Sequence, residues 1–209
     1  SVPGYATLVP LIGMMARRYA RAGTRIYDLG CSLGAVSLAM RDALSEPVTE
    51  IVAVDNSPDM ILGLQERLAR QEAPNTPVRP VREDVMDTVV ENASVVVMNF
   101  TLQFIDPGRR QELLARIARG LVPGGILLLS EKVRFEDAGE QEVQTLWHHD
   151  FKRAQGYTEL EIARKRDALE HVMKPDSLPQ HHARLGRAGF RNVYQWYQGL
   201  SFVSLAALV

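Results

Sequence analysis

Three carboxylates standing close behind short apolar runs are the residues of this sequence best placed to do chemistry. Asp28 lies at the end of Arg25-Ile26-Tyr27-Asp28-Leu29 and leads the glycine turn Asp28-Leu29-Gly30-Cys31-Ser32-Leu33-Gly34. Asp55 ends Glu50–Asp55, 21 residues after Gly34, and Asp84 follows Val78–Arg82. An acid about 20 residues past a glycine turn is spaced to accept hydrogen bonds from both hydroxyls of a ribose, and Asn56 beside Asp55 adds a donor. Asp84 could accept from an adenine amino group while the Val85 backbone N–H meets a ring nitrogen. Alone, each acid reads as a helix or turn cap. Three acids ending three successive strands read as a nucleoside cleft.

The glycine turn admits three readings. Glycine at 30 permits a tight turn and close backbone approach, and glycine at 34 permits close helix packing. A dinucleotide site asks for Gly-x-Gly-x-x-Gly, whereas the turn supplies Gly-x-Ser-x-Gly, and Asp28 would sit poorly beside a pyrophosphate. Gly30-Cys31-Ser32-Leu33-Gly34 also matches the nucleophile elbow of α/β hydrolases. That elbow follows several strands and an oxyanion motif, however, and this turn follows the first strand. The third reading is a packing turn without ligand. S-adenosylmethionine carries no phosphate and bears an ammonium that a carboxylate attracts directly or through water, so the charge favours that cofactor. Cys31 lies inside the turn, where its backbone matters more than its thiol.

The elements that must position these residues are legible from periodicity. Leu8–Tyr19 has helical apolar spacing ended by Gly23, and the turn leads into a helix from about Ala35 to Leu44. Strands are expected at 25–29, 50–55, 78–82, 93–99 and 126–130. Ser57-Pro58 reads as an N-cap with proline in the first turn of a helix to about Gln71. Asp106-Pro107 is expected to cap a helix running to Gly120. This alternation implies an α/β, Rossmann-like, mostly parallel sheet with helices on both faces, whose ligands bind outside the carboxyl ends of the strands. Residues 134–172 are charged and mostly helical, and read as an insertion over that edge. A helix near 177–188 and strands at 190–197 and 202–207 close the chain as an antiparallel hairpin. We expect one domain over residues 1–209.

The 209 residues carry a net charge of −1, with 24 Lys plus Arg against 25 Asp plus Glu, which argues against non-specific nucleic-acid binding. A single cysteine rules out an internal disulfide and fits a reducing cytoplasm. No apolar run approaches the ~18–20 residues of a membrane span, and no signal peptide is evident. The chain opens at Ser1 on Val2-Pro3-Gly4-Tyr5, and an N-terminal segment is expected to be missing.

Asp-Leu-Gly-x-x-x-Gly, Asp55, Asp84 and the Leu-Val-Pro-Gly-Gly-Ile-Leu turn resemble the class I S-adenosylmethionine-dependent methyltransferases. Longer strings resemble the carboxy-S-adenosylmethionine synthase family. They are Ser1-Val2-Pro3-Gly4-Tyr5, Tyr27–Ala35, Val54–Pro58, Asn99-Phe100-Thr101-Leu102-Gln103-Phe104, Leu129-Ser130-Glu131-Lys132 and His148-His149-Asp150-Phe151-Lys152-Arg153-Ala154. The last of these and the Asn-Phe-Thr-Leu-Gln-Phe string are the most specific. The resemblance implies an enzyme that carboxylates S-adenosylmethionine with prephenate as donor. The products would be carboxy-S-adenosylmethionine and phenylpyruvate, and the carboxymethyl group is destined for tRNA wobble uridine through a separate enzyme. The implied route removes a proton from the sulfonium methyl and lets the resulting ylide capture carbon dioxide. It further implies a homodimer, while the single cysteine points to the cytoplasm, the histidine spacing to no metal and the near-neutral charge to no direct tRNA binding. Carried over by residue, the cofactor contacts would be Tyr5, Gly30, Cys31, Ser32, Asp55, Asn56, Asp84, Val85, Asn99 and Arg166, with Asp28 added from its charge.

Arg166 makes physical sense in that scheme, because a guanidinium repels a sulfonium but clamps the carboxylate of a carboxylated product. Prephenate, a dianion, would be drawn to a cationic cleft, for which Lys152, Arg153, Arg164, Lys165 and Arg166 are candidates. Without the resemblance, that charge run reads as a solvated helix face, and Asn99 as a strand-end residue satisfying loop backbone. His148 and His149 have no partner at metal-ligand spacing and read as hydrogen-bonded helix residues. His181-His182 read as lying on a surface-like helix. A conventional methyltransferase acting on a small molecule or RNA, and a cofactor-binding regulatory module, remain as alternatives. No catalytic residue is named by the sequence.

Overall fold

In the computed structural model the description covers residues 2–71, 76–170 and 172–209, without the side chains of residues 165–167, 169 and 170. The elements run α1 (Tyr5–Tyr19), β1 (Arg25–Leu29), α2 (Ala35–Ala43), β2 (Glu50–Asp55), α3 (Pro58–Ala69), β3 (Val78–Arg82) and β4 (Ala93–Asn99). A 3-10 turn (Leu102–Phe104) then precedes α4 (Arg110–Gly120), β5 (Leu121–Lys132), α5 (Ala138–Ala154) and α6 (Glu159–Glu170). The chain closes with α7 (Leu178–Ala188), β6 (Asn192–Gly199) and β7 (Phe202–Leu208).

The described strands form one sheet in the order β3-β2-β1-β4-β5-β7-β6. The first five are parallel; β7 pairs antiparallel with both β5 and β6. This is the mixed α/β arrangement that the alternating periodicity and the terminal hairpin predict. Strand side chains alternate between faces, and each central strand is apolar on both. Ile26, Ile51, Val95, Val97, Ile126 and Leu128 meet Leu8, Ile12 and Ala16 of α1 and Val36 and Met40 of α2. On the other face, Leu29, Val54, Val96, Met98 and Leu129 meet Leu113, Leu114 and Ile117 of α4 and Leu185 of α7. Each such aliphatic side chain, fully buried, stabilises the fold by roughly 1.5–3 kcal/mol.

Several boundaries differ from the sequence expectation, among them α1, which starts at Tyr5 and not at Leu8, and β6, which spans Asn192–Gly199 and not 190–197. Asp106 does not cap α4: its Oδ1 accepts from Gly108 N at 2.8 Å, closing a local turn, and the helix begins at Arg110. β5 begins at Leu121, because Leu121 already pairs with Ala93 before the register shifts around the Pro-Gly-Gly segment. The 134–172 region holds α5 and α6. α5 rests its His148 ring on Phe202, which lies opposite Lys132 at the carboxyl end of β5.

Candidate functional site

β1 sends its chain to β2 on one side, while β4 lies on its other flank. The carboxyl ends of β1 and β4 therefore part at a topological switch point, where a crevice forms. The glycine turn forms one wall. Gly30 N and Cys31 N donate to Val54 O at 2.8 and 2.9 Å, anchoring the turn to β2. Gly30 has φ +86°, and a Cβ there would fall on the Thr101 side chain. The close approach read from the sequence is thus made to the loop after β4. Gly34 has φ +80° at the start of α2, and a Cβ there would strike Leu64 of α3.

Asp55 is held by backbone on both sides. Its Oδ2 accepts from Ser32 N at 2.9 Å and its Oδ1 from Ser57 N at 3.0 Å, which leaves each oxygen further acceptor capacity. Ser57 caps α3 through Met60 N. Asp84 Oδ1 accepts from Met86 N at 2.8 Å, which fixes the carboxylate and leaves its second oxygen for a ligand. Gly30, Ser32, Asp55, Asn56, Asp84, Val85 and Asn99 line a cavity of about 400 Å³, together with Phe100, Thr101, Phe104 and Ile105. A second chamber of about 240 Å³ shares Gly30, Ser32 and Asn99, and adds Tyr5, Asp28 and Cys31. The structure therefore gathers ten of the eleven expected residues around one crevice. Arg166 belongs to α6 by backbone, and its side chain lies outside the described residues, as does that of Lys165.

The second chamber holds two buried acceptor oxygens without a hydrogen-bond partner among the described residues. Asp28 is 1% exposed; its Oδ2 accepts from Ser37 Oγ at 2.6 Å, while Oδ1 is buried with no hydrogen-bond partner among the described residues. Burial pushes its carboxyl up to about 6, against the pull of Ser37. Asn99 Oδ1 is a second buried acceptor with no partner there. Burial, and then the Asp28 charge, raise the Tyr5 hydroxyl. Burial, followed by Asp28 and Asp55, drives the Cys31 thiol far up and keeps it protonated. An ammonium with donors to spare, carried by an uncharged nucleoside, matches these orphaned oxygens. Among the described residues, no three His, Cys, Asp or Glu side chains converge on a metal position.

Sequence reasoning missed part of the wall and all of its support. Thr101, Phe104 and Ile105 line the larger chamber, and the first two sit within the Asn-Phe-Thr-Leu-Gln-Phe string. Phe100 takes φ +63°, a left-handed conformation disfavoured for a bulky residue, and its N–H donates to Ser130 O at 2.7 Å. Beneath it Glu131, 1% exposed, accepts from Leu102 N at 2.9 Å and Gln103 N at 2.8 Å. Arg110, fully buried, donates to the carbonyls of Gln103, Ile105 and Lys174 and pairs with Asp176.

The charged insertion also sorts itself. Arg153 is taken by Asp150 and Glu159, whereas Lys152 is buried. His181 is not a surface residue. It is 2% exposed, and α7 turns it inward beside the Asp176–Arg184 pair, where burial pushes it down to about 4.

Residues 26–125 match the methyltransferase domain family. A cyclopropane synthase of Mycobacterium tuberculosis superimposes with a TM-score of 0.67 at 17% identity, over 91% of this chain and 62% of that one. The magnesium protoporphyrin IX methyltransferase of Synechocystis, with bound S-adenosylmethionine, gives 0.65 at 14% identity, over 98% and 79%. These likenesses establish the class I methyltransferase fold. Carboxy-S-adenosyl-L-methionine synthase of Geobacter metallireducens is 53% identical over 208 residues, covering 100% of this chain and 85% of that protein. The synthase of Klebsiella pneumoniae is 49% identical over 208 residues, covering 100% and 84%. With about half its residues shared over its whole length, the chain belongs to the carboxy-S-adenosyl-L-methionine synthase family.

Proposed function

We infer that this chain makes carboxy-S-adenosylmethionine from S-adenosylmethionine, with prephenate as the carboxyl donor. The observation that carries the reading is the identity of about half the chain to named synthases over its full length. The crevice adds a fit between its lining and the first substrate. Asp55 accepts from the ribose hydroxyls through the capacity its two N–H contacts leave free. The second oxygen of Asp84 and the Val85 N–H take the adenine edge. Asp28 Oδ1 takes the amino group, with Tyr5 packed beside it, and Asn99 stands nearest the sulfonium end. Arg166 is assigned to the new carboxylate by the family resemblance, and the charge of a guanidinium suits that partner.

S-adenosylmethionine supplies a methyl whose C–H bonds are acidified by the adjoining positive sulfur. Prephenate loses carbon dioxide and its ring hydroxyl as it aromatises to phenylpyruvate. Atoms and charge balance when the departing hydroxyl takes the methyl proton and leaves as water, and the carbon dioxide bonds to the methyl carbon. The protein's own part is to orient the methyl, to exclude bulk water and to hold the anionic donor beside it. The wider reading is a cytoplasmic homodimer that supplies a tRNA-modifying enzyme, and light scattering on the purified protein measures the oligomeric state.

The test is to incubate the protein with S-adenosylmethionine and prephenate, denature it and weigh the released nucleoside. S-adenosylmethionine plus one carbon dioxide is expected. S-adenosylhomocysteine alone, with prephenate unconsumed, would replace this reading with conventional methyl transfer.

A further inference from the structure

The turn after β3 is held so that one of its backbone donors is left over. Asp84 O accepts from Asp87 N at 2.9 Å, and from Thr88 N and Thr88 Oγ1 at 3.2 Å each. The Asp84–Val85 peptide is trans, so the Val85 N–H points away from that carbonyl and its partners. Among the described residues this N–H donates to nothing, although Val85 is buried and lines the larger chamber. The next peptide is gripped on both sides. Met86 N donates to Asp84 Oδ1 at 2.8 Å, and Val85 O accepts from Arg116 Nη2 of α4 at 3.0 Å. Among the described residues, the other hydrogen bonds of the turn close within residues 83–88, so Arg116 ties it to a separate element. Arg116 is a costly side chain for that place. It is partly buried, its Nε is buried without a hydrogen-bond partner, and it makes no ion pair among the described residues. A buried donor left unpaired costs free energy, so packing alone does not account for it.

We propose that Arg116 is a positioning residue that makes the crevice select a 6-aminopurine base, by fixing the Val85–Met86 peptide and through it the aim of Asp84 and the Val85 N–H. The inference rests on the reading above that the adenine edge meets these two groups. Adenine offers a donor at its 6-amino group and an acceptor at N1, which match the Asp84 oxygen and the Val85 N–H. A 6-oxopurine offers the reverse, an acceptor at O6 and a donor at N1, so both contacts turn repulsive. Rejection of that kind holds only while neither protein group can swing to suit the wrong base. Asp84 Oδ1 is committed to Met86 N, so the free oxygen is placed by the same peptide that Arg116 holds.

The probes are S-adenosylhomocysteine and S-inosylhomocysteine, which differ only at that edge of the base. Both are titrated by calorimetry into the wild type, into Arg116→Met, which keeps the stem and removes the donor, and into Arg116→Lys, which keeps a donor. Arg116→Met is expected to bind the adenosyl compound about tenfold more weakly and the inosyl compound within about twofold of the wild type. The ratio of the two affinities should thus narrow by about fivefold or more, and Arg116→Lys should restore most of it. An unchanged ratio in Arg116→Met overturns the inference. Equal weakening of both compounds also overturns it, because Arg116 would then only stabilise the fold around the cavity. A wild type that binds both compounds alike overturns it too, and takes the adenine edge away from Asp84 and Val85. Neither titration involves prephenate or turnover, so a wild type that discriminates but forms no carboxylated product contradicts the proposed activity, not the role of Arg116. If Arg116→Met does not fold, Arg116→Gln gives the same comparison, since its shorter side chain stops short of Val85 O.

Discussion

The two oxygens of Asp28 live in different circumstances, and the difference predicts a pH dependence. Oδ2 is held by Ser37, whereas Oδ1 is buried without a partner among the described residues, and the carboxyl is raised to about 6 from an ordinary 3.8. Between those values the unfolded chain is ionised and the folded one is not, so this group's contribution to stability falls as pH rises through the window. Ligand binding has the opposite sign. An ammonium placed on Oδ1 requires the carboxylate, so affinity for S-adenosylmethionine should fall as pH drops through about 6. Asp28→Asn should lose that pH dependence and weaken binding by about tenfold or more, the scale of a charge-assisted contact. Calorimetry from pH 5 to 8 checks both. A pH-independent affinity in the wild type would mean that the amino group is held elsewhere. The position of Asp28 was legible from one strand and one turn. Its orphaned oxygen was not, because that depends on Ser37 and on packing that no local string encodes.

At the scale of elements, the 3-10 turn after β4 shapes the larger chamber and is held by a buried acid from the neighbouring strand. Glu131 grips the N–H groups of Leu102 and Gln103, while Gln103 Oε1 accepts from Lys132 N at 3.0 Å. The same strand end thus fixes the nucleoside wall and carries Lys132. Burial raises the Glu131 carboxyl to about 8 from 4.5, although both N–H groups and Arg110 pull it down and Asp176 adds to the rise. With the folded value raised, the stability owed to this group falls as pH climbs from about 4.5 to about 8. Glu131→Gln cannot ionise, so the melting temperature of the wild type relative to the variant should fall across that range. Gln also turns an amide N–H₂ toward a backbone donor, and its KM for S-adenosylmethionine should rise. A constant melting difference between pH 5 and 8 would refute the titration. Strands β1 to β4 were read to the residue, because runs such as Ala93–Asn99 are apolar on both faces, whereas β5 extends beyond the expected 126–130 at both ends and β6 lies two residues later than 190–197. The start of α4 was placed too early because Asp106-Pro107 serves equally well as a turn, while its end at Gly120 was read correctly. Glu131 and His181 were passed over because their partners and burial come from elsewhere in the chain.

At the scale of the whole molecule, the segment before α1 meets the end of β6. α1 is fastened to the sheet by Leu8, Ile12 and Ala16 and lies so close to α2 that a Cβ at Gly13 would crowd Ala39 O at 2.7 Å. The segment before it is pinned from the far end, where Tyr197 donates to Pro3 O at 2.6 Å. Gly4, at φ +68°, accommodates the tyrosine hydroxyl where a Cβ would collide with it. Tyr5, the next residue, closes the smaller chamber above Asp28. Tyr197→Phe removes the pin and little else. The lost hydrogen bond is worth about 0.5–1.5 kcal/mol, which lowers the melting temperature by only about 1–6 °C for a chain of this size. If the pin acts through Tyr5, affinity for S-adenosylmethionine should fall by about two- to tenfold, while the nucleoside lacking the amino-acid tail should bind as before, since Asp55 and Asp84 lie in the other chamber. Loss of stability with unchanged affinity would show that α1 alone positions Tyr5. Equal weakening of both ligands would show that the anchored end shapes the crevice as a whole.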